Sequence, residues 1–226
     1  MDTERLLDFS ADEPPPGAHP WLPGFGPGTD LTIAEPDPRW ARLGAELVAR
    51  IRAALGEIAL DVEHLGSTSV PDLPAKPIID LVITVPDPDD EDSYVPGLVH
   101  LGLVHAVREP WWFGHRLFRG TDPVANVHVF GPDCPEVERM RILRDWLRSH
   151  PVDRARYATA KRAAAAGGGH VMDYNARKQQ VLREILTAAV TQSADSPRPE
   201  WRLTEVCGDF SRIATLGKSP IPRWAG

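Results

Sequence analysis

Eight residues, Ile78 to Val85 (IIDLVITV), read as one apolar strand rich in β-branched side chains, and a single carboxylate, Asp80, interrupts them. Burying an unpaired carboxylate costs several kcal/mol, on the order of the whole stability of a domain. A chain that carries this run must therefore put Asp80 at a strand end or in a cleft, or give it a partner. The segment just before, Val62 to Val70 (VEHLGSTSV), comes off a short strand, Leu60 to His64, and turns at Gly66-Ser67 into a brief helix that Ser67-Thr68-Ser69 cap and Pro71 and Pro74 keep short. Amides at such a turn face outward with the positive end of a helix dipole, a geometry that suits phosphate. Turn and carboxylate, thirteen positions apart from Ser67 to Asp80, predict a polar cleft in an otherwise apolar sheet.

Around this centre the periodicity alternates. Asp37-Pro38 starts a helix in which Trp40, Leu43, Leu47, Ile51 and Leu55 recur at three- and four-residue steps. A weak helix is expected around Tyr94 to Leu101, and strands at Leu103 to Arg108, His115 to Arg119 and Asn126 to Phe130. The rest of the pattern is helical: one segment from Glu136 to the His150-Pro151 break, one from Val152 to Ala166, and one from Val171 to Val190. A helix, a mixed sheet of about five strands and then a C-terminal helical segment make an α+β domain.

Three regions follow from this reading. Residues 1–30 form an irregular arm, crowded with Pro and Gly from residue 11 onward; it is a mobile tail or it packs Trp21 and Phe25 onto the domain. Residues 31–190 form the domain proper. Residues 191–226 are an extension of unread structure in which Trp201, Phe210 and Trp224 stand among Pro, Ser and Gly, suited to a lid or an oligomer contact.

The formal charge of -7 gives no basic face for nucleic acid, so a small-molecule or nucleotide ligand held by a few local cations is expected. Cys134 and Cys207 lie apart and outside any metal-binding spacing, which points to a reducing, cytoplasmic setting and an inert thiol. No leader and no membrane-spanning run are expected.

The order of motifs carries a resemblance. PDPRW, EHLGSTSVPDLPAKPIIDLVITV, NVHVF, LRDWLRSHP, YATAK and YNARK together resemble the GrpB family, within the nucleotidyltransferase superfamily of polymerase-β type, from about Thr32 to Val190. That resemblance implies a nucleotidyltransferase-like α+β fold and an enzyme that binds ATP or another nucleoside triphosphate with Mg²⁺ and transfers a nucleotidyl or phosphoryl group to a small acceptor. Carried onto this sequence, Gly66, Ser67, Thr68, Ser69, Lys76, Arg116 and Lys178 bind nucleotide and phosphate. Asp80 holds the metal, and Asp80, Glu63 and His128 form the catalytic set. The superfamily strand alternates two acidic residues, and here the second position is Val82. The alternative is therefore a metal-independent enzyme or ligand-binding module in which Glu63, Asp80 and His128 bind a small metabolite. Each candidate also has a plain role: His128 as a core histidine, Lys76 as a solvated loop lysine, Arg116 and Arg119 in surface ion pairs. The pairs Tyr157/Lys161 and Tyr174/Lys178, each four apart on one helix face, are either packing tyrosines with solvent-reaching lysines or part of the site.

Overall fold

A computed structural model describes residues 3–10 and 15–195. The elements in order are α1 (Thr3–Leu7), α2 (Arg39–Leu55), β1 (Asp61–His64), β2 (Ile79–Thr84), α3 (Glu91–His100), β3 (Val104–Glu109), β4 (His115–Thr121), β5 (Val124–Phe130), α4 (Pro135–Ser149), α5 (Pro151–Ala166) and α6 (Val171–Asp195). The strands form one sheet in the order β1-β2-β5-β4-β3, mixed because β2 and β5 run parallel while the other pairs are antiparallel. This is the α+β fold that the hydrophobic pattern predicts.

Strand alternation sends the two sides of β2 to different layers. Ile79, Leu81 and Ile83 join Val62, Phe118, Val127 and Val129 against α2 and α3, whose Leu47, Ile51, Tyr94 and Leu98 close the main core. On the opposite face Val82 and Phe130 pack with Leu65, Val137 and Met140 at the start of α4. Farther along, Val70 and Leu73 meet Leu147, Tyr157 and Ile185 of α4, α5 and α6. Between these two contacts that face carries polar side chains, Asp80 among them.

Two differences from the sequence expectation have physical causes. Helix α3 starts at Glu91, three residues before the expected Tyr94, because Glu91 and Asp92 suit the positive end of a helix dipole. The first residues are not irregular: Leu6 is buried with Leu186 and Val190, and the Arg139 guanidinium donates to the carbonyls of Arg5, Leu6 and Asp8. Farther along the arm, the second of its two expected readings holds, and Trp21 to Phe25 lie on the sheet. Trp21 bridges Val107 at the free edge of β3, the Leu22 amide donates to Ala106, and Trp21 and Phe25 cover Ala106, Val107 and Leu117. That edge would otherwise expose a row of unpaired amides and carbonyls. Residues 196–226, with Cys207 and the three aromatics of the extension, lie outside the described residues. No described helix is long and apolar enough to cross a membrane.

Candidate functional site

Asp80 pairs in register with Asn126 on β5, whose side-chain amide donates to Asp80 Oδ1 at 2.9 Å. The Asp80 carbonyl accepts the amides of Leu65 and Gly66, at 3.1 and 3.3 Å, which folds the turn back over the aspartate. Gly66 has an ordinary φ of -68°, so its glycine answers to space rather than to conformation. A Cβ there would stand 2.3 Å from Asp80 Cβ and 2.4 Å from Oδ2.

The expected phosphate loop is mostly occupied in building itself. The Gly66 amide is committed to Asp80. Thr68, buried, donates its hydroxyl to Ile78 O at 3.0 Å and so receives the proton of His64 Nε2 at 2.8 Å. Ser69, also buried, directs its hydroxyl and its amide to Gly66 O, and its carbonyl accepts Arg148. Thr68 and Ser69 are thus structural members of the turn, and Ser67 is the member whose hydroxyl has no hydrogen bond among the described residues.

Cations gather on the same face. Lys76 precedes β2, Lys161 lies on α5 and Lys178 on α6. Tyr174 stands between Lys178 and Lys76, with ammonium nitrogens 5.0 and 5.6 Å from its ring centre, and Tyr157 between Lys161 and Lys178 at 5.5 and 5.8 Å. Lys161 is 2% exposed and donates to Pro74 O at 2.8 Å. Burial, and after it the charge of Lys178, push its ammonium down to about 7, with Asp80 pulling the other way. Lys76 is lowered by burial and likewise supported by Asp80. Arg119, in register with Asn126, is a fourth cation on this face, held by Gly26 O and the Trp21 ring. Against them stand Asp80 and, near Lys76, Asp30 of the arm. In a chain with an excess of acidic residues this local surplus of positive charge is complementary to an anion.

His128 shares the face with Asp80, displaced by one alternation along β5. Its Nδ1 lies 2.9 Å from His115 Nε2, and His115 Nδ1 lies 2.7 Å from Glu109 Oε2. Burial drives His128 down to about 4 and His115 to about 3, so both rings are neutral at neutral pH. The stacked rings of His115, His128 and Phe130, with Trp112 edge-on, hold this line in place.

Two sequence candidates go elsewhere. Glu63 is on the Asp80 face, but Arg141 and Arg144 of α4 bind its carboxylate. Arg116 alternates to the other face, where Glu91 and Asp89 hold it beneath α3, so it does not reach Asp80 as a clamp. The Mg²⁺ implied by the superfamily does not fit the donor set: Val82 replaces the second carboxylate, Asn126 faces Asp80, and the charge of Asp80 bears on Lys76 and Lys161. Among the described residues no three His, Cys, Asp or Glu side chains gather to hold a metal. Cys134 is buried and its thiol is pushed up by that burial, as an inert cysteine should be. A surface groove along α6, lined by Gln180 and Thr187 among others, does not include Asp80 or the three lysines.

Sequence reasoning missed Glu109 and His115 as site residues and left Lys161 undecided between helix packing and the site. The four-residue spacing of Tyr157 and Lys161 was a signal, but the sheet-facing side of α5 is set by contacts distant in sequence.

The family model described as GrpB protein matches residues 30–188. A UPF0157 protein of Halalkalibacterium halodurans is 46% identical over 160 residues, covering 70% of this chain and 82% of the relative. The crystal structure of conserved protein GrpB from Enterococcus faecalis has a TM-score of 0.63 and 27% identity, over 72% of this chain and 99% of that one. A more distant relative, named dephospho-CoA kinase, from Mycolicibacterium paratuberculosis is 30% identical over 186 residues, which cover 70% of this chain and 46% of its own length.

Proposed function

The chain belongs to the GrpB family, and from that membership and the cleft we propose that it is a small-molecule transferase of nucleotidyltransferase-like fold whose substrate carries a phosphate chain held by lysines rather than by a metal. One observation carries this reading: Lys76, Lys161 and Lys178, from a loop and two helices, converge with Asp80 around two tyrosines. Confining cations in a half-buried site is unfavourable in the empty protein, and a polyanion relieves it. Ser67 then supplies a hydroxyl to the ligand at the turn. Asp80, set against the lysines, orients the reacting end or exchanges a proton with it. The name of the distant dephospho-CoA kinase relative supports a nucleotide-related transfer.

Calorimetry of the full chain with nucleoside triphosphates, sugar phosphates and polycarboxylates, each with and without Mg²⁺, tests it. Phosphate compounds should bind without Mg²⁺, more weakly as salt rises, and Lys178→Met should lose at least tenfold in affinity. Failure of every phosphate compound at millimolar concentration overturns the reading. The second reading is metal-free binding of a small metabolite by Asp80 and His128, which share one face of the sheet.

A further inference from the structure

We propose that Glu109 and His115 fix His128 in its Nδ1–H tautomer, so that Nε2 presents a lone pair on the Asp80 face and selects a ligand with a hydroxyl or amine donor beside its anionic group. This rests on the Asp80 cleft being the ligand site, as proposed above, and adds a specificity-determining residue with two positioning residues behind it.

Each hydrogen bond along the line from Glu109 to His128 uses one proton. An ionised Glu109 can only accept, so His115 Nδ1 must donate to it across 2.7 Å. A neutral His115 then has a bare Nε2, and the 2.9 Å contact requires His128 Nδ1 to donate to it. The neutral His128 ring has spent its one proton, and its Nε2 is left as an acceptor with no partner among the described residues. His128 is half-buried, on the side of the sheet that carries Asp80 and Asn126, and on β5, beside Asp80's own strand. The charges that bear on the line are Glu109 and Asp80, which favour a protonated ring, and Arg116, which opposes one at His115. The reverse polarity, with a protonated Glu109 donating and His128 Nε2 carrying hydrogen, needs a neutral carboxyl on a partly exposed strand-end residue. Burial raises Glu109 above the ordinary carboxylate value, which brings that reversal closer. A buried acceptor strongly penalises a ligand that offers it nothing, because the lone pair is then desolvated without a bond.

Imidazole ¹⁵N–¹H correlation spectra of the full chain, assigned with His128→Gln and His115→Gln, read the tautomer directly. At pH 7 His128 should show a protonated Nδ1 and a bare Nε2, and in Glu109→Ala the Nε2–H form should appear. A wild-type His128 with hydrogen on Nε2, or on both nitrogens, overturns the proposal, as does a Glu109→Ala spectrum identical to wild type. Glycerol 3-phosphate and propyl phosphate, which share the anion and differ in hydroxyls, test the selection. The former should bind at least tenfold tighter and shift Nε2, and equal affinity overturns the donor requirement. Binding of neither, with the tautomer as stated, overturns the anion cleft of the preceding section and leaves the relay standing.

Discussion

Gly66 lies so close to Asp80 that a side chain on the first would occupy the space of the second, 2.3 Å from Cβ to Cβ. The turn and the strand thus form one unit: the carbonyl of Asp80 holds the Gly66 amide while the missing Cβ leaves room for the carboxylate. The one polar residue of an apolar strand is positioned by a glycine fourteen residues earlier.

Gly66→Ala should accordingly destabilise the fold by about 1–3 kcal/mol, the usual range for overpacking, and abolish ligand binding. Thermal unfolding beside calorimetry measures both effects. The double variant Gly66→Ala/Asp80→Gly removes every Asp80 atom that the new methyl meets, so it should recover stability and phosphate binding without recovering turnover. An unchanged melting temperature in Gly66→Ala would show that the turn can move off the aspartate.

The buried ammonium of Lys161 gives a second prediction. Its folded pKa is depressed to about 7, so between about 7 and its ordinary value of 10.5 the unfolded chain holds more protons than the native one. Stability must then rise with pH across that window on account of this group. Lys161→Met should flatten the slope and stabilise the protein at pH 7 by about 1 kcal/mol or more while weakening anion binding. In wild type, an anion brought next to Lys161 raises its affinity for a proton. Binding at pH 8 should take up as much as roughly one proton per ligand, read from calorimetry in buffers of different ionisation heat.

Helix α2 was legible because Trp40, Leu47, Ile51 and Leu55 repeat a single face, and β2 because six β-branched residues lie within eight positions. Asp80 was legible as an exception to its own strand. The fate of Arg116 was not: alternation pairs it with Phe118 and separates it from Arg119, but the register with β5 that decides which pair meets Asn126 is tertiary. Glu63 was lost to Arg141 and Arg144 for the same reason, since those arginines lie some eighty residues away. Lys161 and Lys178 belong to two helices whose rotation is set by Leu147, Tyr157 and Ile185 packing on Val70 and Leu73. No local pattern encodes that rotation.

Acid should unfold the protein earlier than its carboxylates alone dictate. Burial holds His64 at about 4, His115 at about 3 and His128 at about 4. Each is a base with a depressed folded pKa, so below about 6.5 the unfolded chain binds the extra protons and stability falls as pH drops toward 4. At pH 5 each histidine contributes a loss of up to about 2 kcal/mol by the conversion of 1.36 kcal/mol per unit. Urea midpoints measured from pH 7 to 4.5 should decline from about 6.5 downward, with a shallower decline in His115→Phe. A flat profile above pH 5 would mean that these rings are hydrated or paired with charge.

Asp80→Asn separates chemistry from folding. The asparagine keeps the shape and keeps an oxygen for the Asn126 amide, and Asp80 makes no ion pair within 4 Å among the described residues. The variant should therefore fold with a stability change of no more than about 1 kcal/mol. Its effect on the lysines is larger. Asp80 supports the charged forms of Lys161 and Lys76, so its neutralisation lowers both further. At pH 6, where Lys161 is still charged, a phosphate ligand no longer repelled by a carboxylate should bind as tightly as in wild type or tighter. Turnover should be lost, because the group that orients the reacting end is gone. A structural carboxylate behaves differently: removing one partner of a buried pair costs about 3–5 kcal/mol. Unfolding curves showing a loss of that size, or anion affinity falling along with activity, would place the charge of Asp80 in service of the fold or of the ligand's cationic end and overturn its assignment as the reactive centre.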